Sequence, residues 1–286
     1  MTQTTQTRKP KIGLVIGSGS IKCSAALGLF KVLKREGVAV DLLVGCSGGS
    51  IYAAAHAIDW DFESSTELNQ QMWTGLFNKP SYRTLLSILL PRLFGFDERM
   101  GLLNDARVNE VLQTVYGSKT FAETRIPLYI VATDLKTSRE VVLSEGRLAD
   151  AVRASIALPI LLPPWERQGQ LLVDGGLSDP LPLSVAIREG CDIILAMGFD
   201  NAPVTRIVSF TGLIEQTINT LTNNLIKSTF AFYSAVHHAE VIPMMPVFDR
   251  NIGLGDVAML PQIIEAGERA AAEQMPYLKR LLQSAQ

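Results

Sequence analysis

VDLLVGCSGGSIYAAAHAI, residues 40–58, decides how the chain is built. A branched apolar run stops at Gly45, one serine follows between small neighbours, and an alanine-rich helical segment begins at once. Gly45, Ser47 and Gly49 form the G-x-S-x-G pattern of a sharp strand-to-helix turn that lifts a serine hydroxyl above the end of a sheet. The flanking residues must be small because such a turn strains the backbone and crowds both sides. Gly48 then opens a helix whose free N–H groups put partial positive charge beside Ser47, where an oxyanion would form. An ordinary Gly/Ser turn with Ser47 as a helix N-cap fits the same letters.

Working outward, KIGLVIG (11–17), PLYIVATDL (127–135), QLLVDGG (170–176) and DIILAMGF (192–199) are further short apolar runs that read as buried strands. Helical patterns fall between them, among them SAALGLFKVLKRE (24–36), closed by Gly37. Strands alternating with helices imply an α/β fold: a three-layer sandwich whose mainly parallel central sheet is flanked by helices. KTSREVVLS (136–144) reads as a short hairpin returning from the third strand. No repeat or linker divides the chain, so a polar, disordered tail (1–10) and one domain (11–286) are expected.

Two helical stretches stand outside the alternation. In residues 209–230, Phe210, Ile214, Ile218, Leu221 and Leu225 make one stripe, with Asn219, Asn223 and Lys227 away from it, which predicts a helix packed on the sheet. RTLLSILLPRLFGF (83–96) is more apolar than one packed face needs, and Pro91 interrupts it. Core packing and a lid or lipid-docking segment are both open for it.

Composition narrows the function. At 286 residues and 47% hydrophobic, the chain buries a large core. A formal charge of -2 gives no basic field, which excludes nucleic acid as a partner. Cys23, Cys46 and Cys191 have neither the number of a disulfide framework nor metal-ligand spacing, and fit a reducing cytoplasm. The apolar run near the start is too short for a signal peptide, and none approaches the ~20 residues needed to span a bilayer, so a soluble chain with at most peripheral membrane contact is expected.

A serine nucleophile needs a base, and the usual one is histidine. His56 lies nine positions beyond Ser47 on the same helix, too far to reach back. His237 and His238 follow the long amphipathic stretch, and a Ser…Asp…His order through them remains open. The other candidate is Asp174, which ends a strand just before Gly175 and Gly176, on the rim where open parallel sheets bind ligands. Asp-Gly is also a plain turn signal. An ordinary carboxylate is a weak base for a hydroxyl, so a Ser47–Asp174 pair relies on an oxyanion site and dry surroundings. The small-residue loop Gly17-Ser18-Gly19-Ser20 can aim successive N–H groups at an anion. As a dinucleotide-binding turn it fails, because Lys22 stands where the third glycine belongs.

GSGSIK (17–22), GCSGG (45–49) and DGG (174–176), in this order, resemble the patatin-like phospholipase family. ATDLKTSRE (132–140), RASIALPILLPP (153–164) and DGGLSDPLPLSVA (174–186) look like linking segments of its small bacterial members. The resemblance implies the patatin-like fold and a serine acyl hydrolase that cleaves phospholipids or other acyl esters with a Ser-Asp dyad, without histidine, metal or cofactor. By position, Ser47 would be the nucleophile, Asp174 the base, and Gly19, Ser20 and Ile21 the oxyanion hole. Gly17, Lys22, Gly45, Gly48, Gly49, Gly175 and Gly176 would support the motifs. The loop departs from the family pattern at Ser18, Ser20, Lys22 and Cys23, where glycines and Arg-Gly are usual, and serines pay a conformational cost at positive φ. A thioesterase or acyltransferase on the same dyad, and a catalytically idle lipid-binding protein at a membrane, are the alternatives.

Overall fold

The computed structural model describes residues 8–60, 66–75, 97–103, 105–200, 206–207 and 210–284. Five strands lie side by side and point the same way. Their order is β3 (Leu128–Asp134), β2 (Leu42–Cys46), β1 (Ile12–Ile16), β7 (Ile193–Met197) and β8 (Glu240–Met244).

Side chains alternate across this sheet and feed two cores. Leu14, Ile16, Leu43, Leu195 and Met197 pack on one face against α1 (Ala25–Arg35), α2 (Gly48–Ala57) and α8 (Leu260–Ser284). Val15, Leu42, Val44, Ile194 and Ala196 pack on the other against α6 (Leu183–Arg188) and Ile226 of α7 (Phe210–Val236). Both faces being covered explains why β1, β2 and β7 read as unbroken apolar runs. The fold is the helix–sheet–helix sandwich that the alternation implies.

The remaining strands turn the other way. β4 (Arg139–Leu143) returns antiparallel along β3, β6 (Gln170–Asp174) runs antiparallel to β3, and β5 (Trp165–Arg167) pairs with β6. Registers place them. β2 and β4 both pair with Ile130 and Val131, so they occupy opposite edges of β3. β4 and β6 both pair with residues 132–134, so β6 shares the β2 edge. β2 therefore runs up that edge to Cys46, opposite Val131, and β6 runs down it to Asp174, opposite Ala132.

β8 and α8 are among the elements the sequence does not single out. β8 carries Pro243, which breaks a strand signal but is tolerated because β8 pairs with β7 alone. α8 contains GERAAAEQ, and turns the small residues Gly267, Ala270 and Ala271 inward. It packs so closely on α1 that a Cβ at Gly28 would collide with the Ile264 carbonyl, and one at Gly267 with that of Ala25. Residues 83–96 and residues 1–7 of the expected tail lie outside the described residues.

Candidate active site

Ser47 sits between β2 and α2 with φ 52° and ψ −131°, a conformation costly for serine. Packing holds it there. A Cβ at Gly49 would collide with the Ile16 carbonyl, and one at Gly45 would come within 2.6 Å of the Ser50 Cα. The Ser47 N–H donates to Ser155 Oγ at 2.8 Å, and Ser155 Oγ donates to the Val131 carbonyl at 2.6 Å.

The end-on approach of β6 brings the acid to this turn. Ser47 Oγ donates to Asp174 Oδ2 at 2.6 Å, and the Gly176 N–H donates to Asp174 Oδ1 at 2.8 Å. The sequence reading placed the two on one rim of parallel strands; β6 instead opposes the parallel set, and the acid arrives because β6 points down at the top of β2. Burial pushes the Asp174 carboxyl up to about 6, against the lowering pull of the Ser47 hydroxyl and the Gly176 N–H. Only 4% of Asp174 and 8% of Ser47 is exposed.

The loop after β1 has divided duties. The N–H of Gly17 donates to the Met197 carbonyl at 2.9 Å and that of Ser18 to the Pro180 carbonyl at 2.7 Å, which fixes the loop across β7. The N–H groups of Gly19, Ser20 and Ile21 meet no acceptor among the described residues. Gly19 has extended backbone, φ −173°, and is glycine for space, since a Cβ would strike the Phe199 ring. Gly19, Ser20, Lys22, Gly48, Ser47 and Asp174 all line one cavity; Ile21 does not, its side chain being fully buried in the core. Gly175 and Gly176 admit the neighbouring chain, a Cβ on the first colliding with the Val131 carbonyl and on the second coming within 2.7 Å of Ser18 Oγ.

That cavity measures about 170 Å³. Ile51, Met72 and Trp73 wall it on one side, Trp73 and Met72 belonging to α3 (Thr66–Gly75), and Leu158, Leu161 and Phe199 wall it elsewhere. α7 contributes Ile218, Asn219, Thr222 and Asn223. This corrects the expected stripe: Asn219 and Asn223 turn inward and Leu221 is 63% exposed, because what α7 covers here is an open cavity, where its polar side chains need not be packed dry, rather than closed core.

The segment RASIALPILLPP proves to be a scaffold whose members sequence reasoning missed as site residues. Besides Ser155, which ends α5 (Leu148–Ser155), it holds Arg153, buried and bonded to Asp105 Oδ2 at 2.6 Å and to the Pro163 carbonyl at 2.9 Å. The Ala157 carbonyl accepts the Asp174 N–H at 2.9 Å. A lone serine close to an arginine in an otherwise apolar stretch gave no signal of these bonds. None of the histidines lines the cavity: His56 stacks on Phe30 at 3.9 Å and burial lowers its pKa to about 4, while His237 and His238 are exposed beyond α7. Cys23, Cys46 and Cys191 are free and buried.

An uncharacterized NTE family protein of Mycobacterium tuberculosis is 29% identical over 196 residues, 68% of this chain and 50% of that protein. Patatin-like phospholipase domain-containing protein 6 of Mus musculus is 27% identical over 246 residues, 81% of this chain and 18% of that protein. The chain thus spans half or less of the length of these curated relatives. The solved structure of human GIVD cytosolic phospholipase A2 aligns with a TM-score of 0.51 over 97% of this chain and 63% of its own, at 10% identity, and shares the fold. The stretch that runs from β1 through the serine turn to the acid and α6, residues 14–187, matches the family described as patatin-like phospholipase, and the chain belongs to that family.

Proposed function

We propose that the protein is a serine acyl hydrolase that cleaves carboxylic esters of lipids through a Ser47–Asp174 dyad. The observation that carries this reading is the 2.6 Å hydrogen bond from Ser47 Oγ to Asp174 Oδ2 on a largely apolar cavity. Membership of a phospholipase family supports it. Burial makes Asp174 a stronger base than an ordinary carboxylate, yet leaves it ionised at neutral pH.

In the first step Ser47 Oγ attacks the ester carbonyl and its proton passes to Asp174 Oδ2. The carbonyl π pair becomes an oxyanion facing the N–H groups of Gly19, Ser20 and Gly48. Collapse breaks the bond to the leaving oxygen, which takes the proton from Asp174 and leaves an acyl group on Ser47. Water, deprotonated by Asp174, attacks the acyl-enzyme; collapse frees the acid and returns the proton to Ser47. The step calls for no histidine, metal or cofactor. An apolar cavity of about 150 Å³ takes benzene elsewhere, so this one has room for about six carbon atoms of an acyl chain.

The lipid would be met by peripheral contact. Leu213, Leu221, Phe232 and Val236 stand exposed on α7, and among the described residues no helix is long and apolar enough to cross a membrane. Buried free thiols suit a reducing cytoplasm. The test is the initial rate of p-nitrophenyl butyrate and octanoate hydrolysis, and of fatty acid release from phospholipid vesicles, by wild type and Ser47→Ala. Turnover that survives in folded Ser47→Ala would end this reading; a wild type that binds vesicles but turns over no ester would favour an idle lipid-binding protein.

A further inference from the structure

Ser20 is unusual twice over. Its backbone has φ 54°, the left-handed region where a side chain is disfavoured and glycine is not. Its Oγ is shielded from solvent and has no hydrogen-bond partner among the described residues. Buried hydroxyls are nearly always partnered, so an orphan in a strained position points to a use outside the fold.

Local structure supplies no such use. Ser20 begins a short 3-10 turn, Ser20–Ser24, but the turn has no side-chain cap, and its bond from the Lys22 N–H goes to the Gly19 carbonyl. Glycine would serve the backbone there at lower cost.

The position does supply one. Ser20 lines the cavity with Ser47 and Asp174, and its carbonyl packs against Gly48, the residue after the nucleophile. It thus sits beside the N–H groups proposed to receive the oxyanion. We infer that the Ser20 hydroxyl is itself a catalytic donor, an O–H that bonds the oxyanion of the tetrahedral intermediate. The inference rests on the acyl-hydrolase reading and adds to it a side-chain donor. In the resting state the hydroxyl is turned away from the cavity with nothing to bond; rotation about χ1 turns it toward the charge that develops on the carbonyl oxygen, so its contribution falls on the transition state. The donor keeps its proton throughout; it bonds the oxyanion and releases it when the carbonyl re-forms.

The experiment compares Ser20→Gly and Ser20→Ala with wild type and Ser47→Ala. The two Ser20 variants act oppositely on the backbone, glycine relaxing the positive φ and alanine retaining it, but both delete the hydroxyl. Steady-state ester hydrolysis is read together with the rate at which a fluorophosphonate probe labels Ser47. Both variants should lose kcat by about 100-fold, the order expected for one oxyanion donor, with KM little changed and labelling slowed alongside. A Ser20→Gly variant as fast as wild type, in turnover or in labelling, overturns the inference while the dyad stands. A wild type that neither turns over nor labels, or activity that survives Ser47→Ala, overturns the acyl-hydrolase reading and this inference with it.

Discussion

The Oγ atom of Ser155 accepts the Ser47 N–H at 2.8 Å and donates its own proton to the Val131 carbonyl at 2.6 Å. One hydroxyl ties the end of α5 to the serine turn and to β3, at a point with no access to solvent. Ser155→Ala leaves a buried N–H and a buried carbonyl short of a partner, at about 1–3 kcal/mol for such a group. Stability should fall by that order. Because the lost bond orients the proposed nucleophile rather than the substrate, kcat should drop with KM nearly unchanged. Urea unfolding beside steady-state kinetics checks both, and a change confined to KM would contradict the assignment.

Asp174→Asn should abolish turnover and yet stabilise the fold at neutral pH. Burial raises the carboxyl from 3.8 to about 6, so the folded state favours its protonated form. The stability this group contributes is present below about 3.8 and is lost as pH rises through about 6. Above that the buried charge opposes folding, by up to about 3 kcal/mol. Melting curves at pH 4 and pH 8 should show Asp174→Asn gaining several degrees over wild type at the higher pH and little at the lower. An equal difference at both values would refute the linkage.

The same carboxyl sets the pH–rate profile. In the proposed dyad Asp174 must be ionised to take the Ser47 proton, so kcat/KM should rise with pH through about 6 and then level. His237→Ala and His238→Ala should leave both limb and plateau in place, since neither ring lines the cavity. A limb that shifts or vanishes in either variant would restore histidine as the base.

Gly19 and Gly175 are both glycines for space, but different neighbours constrain them. Gly19→Ala drives a methyl into the Phe199 ring, so activity should fall sharply, and Phe199→Leu in the same chain should recover part of it. Gly175→Ala meets the Val131 carbonyl, which is backbone within the sheet, and should unfold or destabilise the protein whatever side chains are changed. Activity and melting temperature of the single and double variants separate the two cases.

The serine turn was legible because small residues at fixed spacing after a branched run have few other uses. The parallel core was legible because strands covered on both faces are apolar throughout. The direction of β6 was not, since a five-residue apolar strand reads the same either way and only its register with β3 decides. The inward side of α7 was hidden for a different reason: a helix over a lined cavity breaks the rule that polar residues face water, as Asn219 and Thr222 do. The part played by Ser155 was not legible, because a lone serine in a helical pattern carries no mark of its bonds.

β2 and β6 meet head to head on one edge of β3, although Ser47 and Asp174 are 127 residues apart. A growing chain, made at about 5–20 residues per second, adds Ser47 roughly 6–25 seconds before Asp174. Until β6 has been synthesised and docked, the serine lacks its proposed base and its turn has no acid above it. With the proposed dyad, acyl transfer is thereby withheld from any chain that ends before residue 174, whatever its serine turn has reached.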